Sequence, residues 1–239
     1  AWIMDVEGKV ERLLAADDKL FAVTLDGRIL AFGAESKNHK EFKRPSVPSE
    51  LPEQAAAMAK AIIEKSGVTE GYALFYGVSD GELLEALTLN SNLAIIGLDR
   101  NAKRTDSVRR HLDAQGLYGT RVALLDDASP SFELPPYMAS LTVIGDLDAA
   151  GFETTAEFLA RVFEPMRPYG GKAWIPLQGS ERDEFLHLVE TGALPGAKAV
   201  AEEGGVLLSR EGPLPGSAPW THQYGDAAPG QRVFQPVGL

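Results

Sequence analysis

The residues best suited to chemistry lie in four short segments, each directly after an apolar run. The segments are Tyr76-Gly77-Val78-Ser79-Asp80-Gly81, Asp99-Arg100, Asp126-Asp127 and Gly145-Asp146. A glycine turn after a strand lets backbone N–H groups at a helix N-terminus approach a ligand, and an acid about 20 residues further on commonly binds ribose hydroxyls. Each segment alone is also compatible with an ordinary turn or helix N-cap. Their order favours a nucleotide site at the carboxyl ends of parallel strands.

The elements that position these segments alternate between buried strands and amphipathic helices. The predicted strands are 71–75, 93–98, 122–125, 141–144 and 173–177, and the predicted helices start at 53, 83, 103, 154 and 181. Short apolar runs that alternate with helices predict a Rossmann-like, doubly wound α/β fold with a mostly parallel sheet. Residues 197–202 and 206–210 flank Glu203-Gly204-Gly205 and predict a C-terminal antiparallel hairpin.

Four regions follow from these patterns. Residues 1–34 predict short β-hairpin strands with Asp26-Gly27 at one turn, and residues 35–52 have the polar, proline-containing composition of a linker. Residues 53–212 form the predicted Rossmann-like domain. Residues 213–239 are rich in glycine and proline, and we interpret them as a tail or as the entry to another domain.

Composition excludes several classes of function. The net charge is −11, so a nucleic-acid partner is not expected, because phosphate contacts need clustered Lys and Arg. Lys103-Arg104 and Arg109-Arg110 are interpreted as one solvated helix face. The chain has no cysteine, its four His residues lack metal-ligand spacing, and no apolar run is long enough to span a membrane, so no metal site and no membrane span are predicted. The compartment is left open.

The stretch from about 55 to 210 resembles the class I S-adenosylmethionine-dependent methyltransferases. The segments similar to family motifs are 72–81, 95–99, 122–128, 141–146 and 163–171. The resemblance implies S-adenosylmethionine as cofactor, with a turn shaped by Tyr76, Gly77, Val78, Ser79 and Gly81. It also implies that Asp99, followed by Arg100, binds the ribose, that Asp126 or Asp127 meets the adenine, and that Asp146 lies near the reactive end.

Two residues depart from the family pattern. Phe75 stands where the family usually has an acid, two residues before the first glycine, and Ser79 stands where a second glycine is usual. The family acid contributes to binding of the methionine moiety, so adenosine recognition is better supported than recognition of the sulfonium end. Whether Ser79 narrows the turn is left open, because a serine does not adopt glycine backbone angles freely and its side chain occupies space.

A second resemblance concerns the flanks. Residues 20–33 are similar to one repeat of a pyrroloquinoline-quinone-type β-propeller, and residues 213–226 resemble the start of another. This implies a neighbouring propeller, as in bacterial propeller proteins, some labelled alcohol dehydrogenases, with a methyltransferase-like domain inserted between blades. Pyrroloquinoline quinone would then bind only in a larger parent protein.

Three functions are compatible with these patterns. The first is an S-adenosylmethionine-binding methyltransferase of unassigned acceptor, which would place the chain in the cytoplasm. The second is a degenerate, non-catalytic insert in an exported or periplasmic propeller protein. The third is part of a quinone-dependent dehydrogenase, whose activity could not reside in this chain alone.

Overall fold

The computed structural model describes residues 3–34, 50–125, 134–150, 153, 155–192 and 194–217. The chain divides into two units, Ala1–Arg44 and Pro45–Leu239, which are described separately. Among the described residues, no helix is long and apolar enough to cross a membrane.

The first unit is a three-stranded antiparallel sheet in the order β1-β2-β3. Its strands are β1 (Val10–Ala16), β2 (Lys19–Thr24) and β3 (Ile29–Phe32). Asp17 and Asp18 adopt φ values of 50° and 54°, as the tight turn between β1 and β2 requires. Leu13 and Leu14 point to opposite faces and are both exposed, so within this unit β1 is uncovered on either side.

The second unit is a seven-stranded sheet with helices on both faces. Its strands are β4 (Glu70–Tyr76), β5 (Asn92–Leu98), β6 (Val122–Leu125), β7 (Leu141–Ile144), β8 (Gly171–Ile175), β9 (Ala197–Glu202) and β10 (Gly205–Arg210). Its helices are α1 (Glu53–Ser66), α2 (Glu82–Leu89), α3 (Ala102–Ala114), α4 (Leu147–Ala150), α5 (Ala156–Phe163) and α6 (Gly179–Thr191). The strand order is β6-β5-β4-β7-β8-β10-β9, with β10 antiparallel to both of its neighbours. The predicted fold class is therefore confirmed.

The core lies in two layers, one on each face of this sheet. Helices α1, α2 and α3 bury residues such as Ile62, Leu87 and Leu112 on one face. Helices α5 and α6 bury residues such as Phe158 and Phe185 on the other, where the two rings meet edge to face. Burial on both faces explains why the parallel strands are almost wholly apolar.

The chain reverses direction across the sheet beside β4. From β4 it runs outward through β5 to β6, and it then returns to place β7 on the other side of β4. Open α/β sheets form a crevice at such a switch point, outside the carboxyl ends of the strands. The ends of β4 and β7 are therefore the expected edge of a ligand site.

Two of the predicted boundaries that differ from the structure have a local explanation. The helix predicted to start at 154 starts at Ala156, because Thr155 caps it by accepting a hydrogen bond from the Phe158 N–H, and a separate short helix, α4, precedes it. The strand predicted over 173–177 starts at Gly171 and ends at Ile175, because the Leu177 N–H turns back to the Ile175 carbonyl.

Candidate functional site

The turn after β4 has a left-handed backbone at three alternate positions. The φ angles are 72° at Gly77, 52° at Ser79 and 87° at Gly81. A Cβ on Gly77 would lie 2.1 Å from the carbonyl oxygen of Asp146, and one on Gly81 would lie 2.6 Å from a methyl group of Val108. Both glycines therefore let the turn pack on the protein itself, against the β7–α4 connection and against α3.

Ser79 takes a backbone conformation that a glycine would adopt without strain. A non-glycine residue in the left-handed region costs about 1–2 kcal/mol. Ser79 is half-buried, and it lines the cleft described below. The turn thus keeps the glycine-type geometry that the sequence pattern predicts, at some cost in strain and with a hydroxymethyl group added to the cleft wall.

Asp99, at the end of β5, is wholly buried, and the loops around it hold its carboxylate. Its Oδ2 accepts a hydrogen bond from the Val78 N–H at 3.0 Å, and its Oδ1 accepts one from the Asn101 N–H at 2.8 Å. Asp99 therefore joins the glycine turn of β4 to the start of α3. Asp99 thus lies beside the glycine turn at the carboxyl end of β5, and its role in ribose binding stays a prediction.

Arg104 supplies the remaining hydrogen bonds to Asp99. Its Nη2 donates to Oδ1 at 2.8 Å, and its Nε lies 3.2 Å from Oδ1 and 3.1 Å from Oδ2. The hydrogen bond to Asp99 raises the pKa of the Arg104 guanidinium, and Asp146 raises it further through space. Arg109, also on α3, donates to the Leu124 carbonyl. The interpretation of residues 103–104 and 109–110 as one solvated face was wrong for Arg104 and Arg109, because both guanidinium groups bind strand-end acceptors, whereas Lys103 and Arg110 are exposed.

Asp146 follows β7 and faces the same edge of the sheet. Its Oδ1 accepts a hydrogen bond from the Ala149 N–H at 2.7 Å, which fixes the start of α4. The preceding Gly145 is packed on the ring of Phe75, since a Cβ there would lie 2.6 Å from two ring carbons. Phe75 thus fills, with an aromatic ring, a position where a carboxylate would have reached towards the cleft.

A cleft of about 300 Å³ opens at the switch point between β4 and β7. One side of it is lined by the ends of β4 and β7, the turns after them and the start of α2, with Phe75, Gly77, Val78, Ser79, Asp80, Glu82, Leu83, Gly145 and Asp146. The start of α1 covers the other side, with Pro52, Gln54, Ala55 and Met58. Its size is at the lower end of the range for small-molecule sites. The titratable groups that line it are all carboxylates, from Asp80, Glu82 and Asp146.

The other predicted site residues are more scattered. Tyr76 is buried in the core layer of α5 and α6, and burial raises the pKa of its hydroxyl. Val78 packs in the opposite layer and contributes its N–H to Asp99. Arg100 is exposed at the start of the β5–α3 loop. Asp126 and Asp127 lie outside the described residues.

Two contributors to the site were missed from the sequence. One is Arg104, which lies five residues after Asp99 in the first turn of α3. This spacing between an acid and an arginine is not a common sequence motif, so it did not indicate the contact. The other is the start of α1, which forms one wall of the cleft (the α1 wall). Its residues were assigned to the end of a linker and to an ordinary core helix. Its place in the order of elements could have indicated this wall, because a helix that leads into the first parallel strand runs back along that strand and begins near the strand's carboxyl end.

A second, larger groove of about 610 Å³ lies between α6 and β9. Its walls are mostly aliphatic and include Leu186, Val189, Leu194 and Val200. It flanks the antiparallel edge of the sheet and not the carboxyl ends of the parallel strands. We therefore take the smaller cleft, where backbone N–H groups and carboxylates converge, as the candidate site.

Several solved structures of methyltransferases have a fold similar to that of this chain. A Methanococcus maripaludis protein assigned as an S-adenosyl-L-methionine-dependent methyltransferase aligns at a TM-score of 0.50, with 16% identity over 66% of this chain and 84% of that chain. A SAM-dependent methyltransferase from Aquifex aeolicus aligns at 0.48, with 16% identity over 64% and 89%. Haemonchus contortus phosphoethanolamine N-methyltransferase 2, solved with S-adenosylhomocysteine, aligns at 0.42, with 17% identity over 55% and 32%.

These likenesses show the fold alone, which is the Rossmann-like fold of class I methyltransferases. No protein-family model and no curated protein sequence matches the chain. The structural neighbours do not bear on the propeller resemblance of residues 20–33, which stays a prediction.

Proposed function

We propose that the second unit binds S-adenosylmethionine at the carboxyl edge of its sheet and acts as a methyltransferase whose acceptor is unassigned. The observation that supports this most is the cleft between the glycine turn and Asp146, with the Asp99 carboxylate fixed immediately beside the turn. The domain limits 53–212 belong to the same proposal. Structural neighbours with the same fold bind S-adenosylmethionine or S-adenosylhomocysteine, which is consistent with it.

The residues that line the cleft, and Asp99 buried beside it, suit parts of this cofactor. Asp99 would take the ribose hydroxyls, because its carboxylate is held in place by two backbone N–H groups. The carboxylates of Asp80 and Asp146 would favour the positive sulfonium end, since opposite charges attract. The cofactor supplies an activated methyl group. Asp126 or Asp127 would meet the adenine, as the resemblance implies.

The chain's own task in such a reaction is orientation. Methyl transfer needs donor and acceptor held in line, and a fixed geometry of this kind can lower a barrier substantially without any proton transfer. Phe75 and the α1 wall would exclude water from the cleft, and Gly77 would hold the turn against Asp146. A general base is therefore not required of the cleft residues.

Isothermal titration with S-adenosylmethionine and S-adenosylhomocysteine tests the proposal. We expect micromolar binding by the wild type and its loss in Asp99→Ala. Asp106→Ala is the matched control, because this aspartate lies on α3 and forms only an exposed pair with Arg110. The proposal fails if a folded wild type gives neither heat nor a thermal shift at millimolar ligand.

A second candidate function is a non-catalytic, methyltransferase-like insert in a propeller protein. Phe75 and Ser79 favour it, because they replace the two residues on which the sulfonium end depends. The sheet β1–β3 also favours it, since β1 is uncovered on both faces within its own unit. In this proposal residues 1–34 and 213–239 belong to propeller repeats that flank the linker, 35–52, and the domain. Quinone-dependent dehydrogenase activity would be found in a longer parent protein and not in this chain.

Measurements on a longer parent chain distinguish this candidate. If β1–β3 belong to a propeller, they will unfold together with the added sequence and will resist protease within it. If β1–β3 stay protease-sensitive there, or the isolated chain oxidises an alcohol with added quinone, the candidate is wrong.

A further inference from the structure

The Asp99 carboxylate has a protein hydrogen-bond donor for about every position at which it can accept one. Four N–H groups donate to it, one each from Val78 and Asn101 and two from Arg104, whose Nε is shared between both carboxylate oxygens. An ionised carboxylate offers about four lone-pair positions. Asp99 is also fully shielded from solvent, at 0% exposure. The group suited to hold a ribose is therefore saturated by the protein itself.

The hydrogen-bond donors to Asp99 differ in how easily they can move away from the carboxylate. The Val78 and Asn101 donors are backbone groups fixed by the turn and by the loop before α3. Arg104 is a long side chain in the first turn of α3, and it is 34% exposed. Rotation of this side chain would carry the guanidinium into solvent and would expose the edge of the carboxylate. Arg104 is thus the one partner of Asp99 that can be exchanged without refolding a loop.

We propose that Arg104 is a latch on the nucleoside site, which competes with the ligand for Asp99 and must release it before a ribose can bind. This inference rests on the proposed function and concerns its regulation. Ribose hydroxyls would replace the guanidinium as donors to Asp99, so the carboxylate is never left unpaired. Ligand affinity is then reduced in proportion to the fraction of molecules in which the latch is open.

The latch predicts that removal of Arg104 tightens binding. In Arg104→Met, the site is always open and Asp99 lacks a side-chain donor, so S-adenosylhomocysteine should bind about tenfold more tightly, as expected if roughly one wild-type molecule in ten is open. Arg104→Lys keeps the charge but loses the paired donors of the guanidinium, so its gain should be smaller, about threefold. Arg110→Met is the matched control, because Arg110 lies on the same helix and pairs only with exposed Asp106.

Titration calorimetry of these four proteins, together with competition by adenosine and by 2′,3′-dideoxyadenosine, tests the latch. Relative to the wild type, Arg104→Met should have a higher affinity for adenosine but an unchanged affinity for the analogue that lacks ribose hydroxyls. A general loosening of the fold would instead change the affinities for both competitors by the same factor. If the methionine variant does not fold, the lysine variant decides by the same comparison.

The outcomes separate the latch from the function on which it rests. Equal or weaker binding in both Arg104 variants, with clear binding by the wild type, overturns the latch and leaves the proposed function standing. No binding by any folded protein overturns both. Binding by Arg104→Met with none by the wild type supports both.

Discussion

Gly77 is the residue at which the geometry of the turn is most constrained. It adopts a φ of 72°, and a Cβ there would lie 2.1 Å from the Asp146 carbonyl oxygen and 3.0 Å from the Ala150 nitrogen. These neighbours are backbone atoms, so no side-chain rotation can relieve the overlap. Gly77→Ala should therefore push the β7–α4 connection away from the turn and open the junction that forms the cleft.

The expected loss of stability has two parts. The left-handed backbone costs an alanine about 1–2 kcal/mol, and overpacking adds about 1–3 kcal/mol. Gly67→Ala isolates the first part, because Gly67 ends α1 with a φ of 68° and has no other atoms within 4 Å of the Cβ position. Gly77→Ala should thus lose about 2–5 kcal/mol, and Gly67→Ala only about 1–2 kcal/mol.

Urea unfolding followed by far-ultraviolet circular dichroism at the helical minimum provides the assay. All helices of the described residues lie in the second unit, so this signal reports on that unit. The free energies of unfolding should be compared at unchanged m-values. Equal losses in the two variants would show that the turn does not pack against the β7–α4 connection, and this would contradict the geometry of the cleft.

Three further predictions concern neighbouring residues. Ser79→Gly should raise the free energy of unfolding by up to about 1 kcal/mol, because strain at φ 52° is relieved, and unchanged stability would contradict this. His111→Ala should cost about 1–3 kcal/mol, because the Glu85 carboxylate is buried and its Oε2 lies 2.6 Å from the His111 Nε2. The control Arg110→Ala should cost less than about 1 kcal/mol, and equal losses would refute the role of burial.

The third prediction is a pH dependence. Burial raises the pKa of Tyr76 in the folded state, so its contribution to stability is complete below pH of about 10 and is lost as the pH rises above it. Relative to Tyr76→Phe, the wild type should lose about 1.4 kcal/mol for each pH unit above that value, in urea titrations from pH 8 to 11. Parallel pH profiles of the two proteins would contradict the burial of this hydroxyl.

The order of elements could be predicted because periodicity and turn residues are local signals. The strands Val122–Leu125 and Leu141–Ile144 agree with the structure residue for residue, since each is a short run that is apolar apart from Thr142 and has an acidic residue within two positions of its end. The start of β8 could not be predicted, because it depends on the Lys172 N–H pairing with the Ser140 carbonyl of a distant segment. Strand ends set by a neighbour are invisible to local patterns.

The site could be predicted only in outline. The turn at Gly77 and the acid at Asp99 were recognisable from spacing, and the structure brings them together. The pairing of Asp99 with Arg104 was not recognisable, because it depends on the direction in which the first turn of α3 points its side chains. Likewise, the Phe75 ring was known to replace an acid, but its packing on Gly145 needed the adjacent strand.

The central claim is that a nucleoside ligand binds at the carboxyl edge of β4, β5 and β7. An NMR titration of ¹⁵N-labelled protein with S-adenosylhomocysteine tests it most directly. We predict that the largest shift changes fall on the amides of Val78, Ser79, Asn101 and Asp146. Shifts confined to the groove between α6 and β9, at Leu194 and Val200, or no shifts at millimolar ligand, would contradict the account.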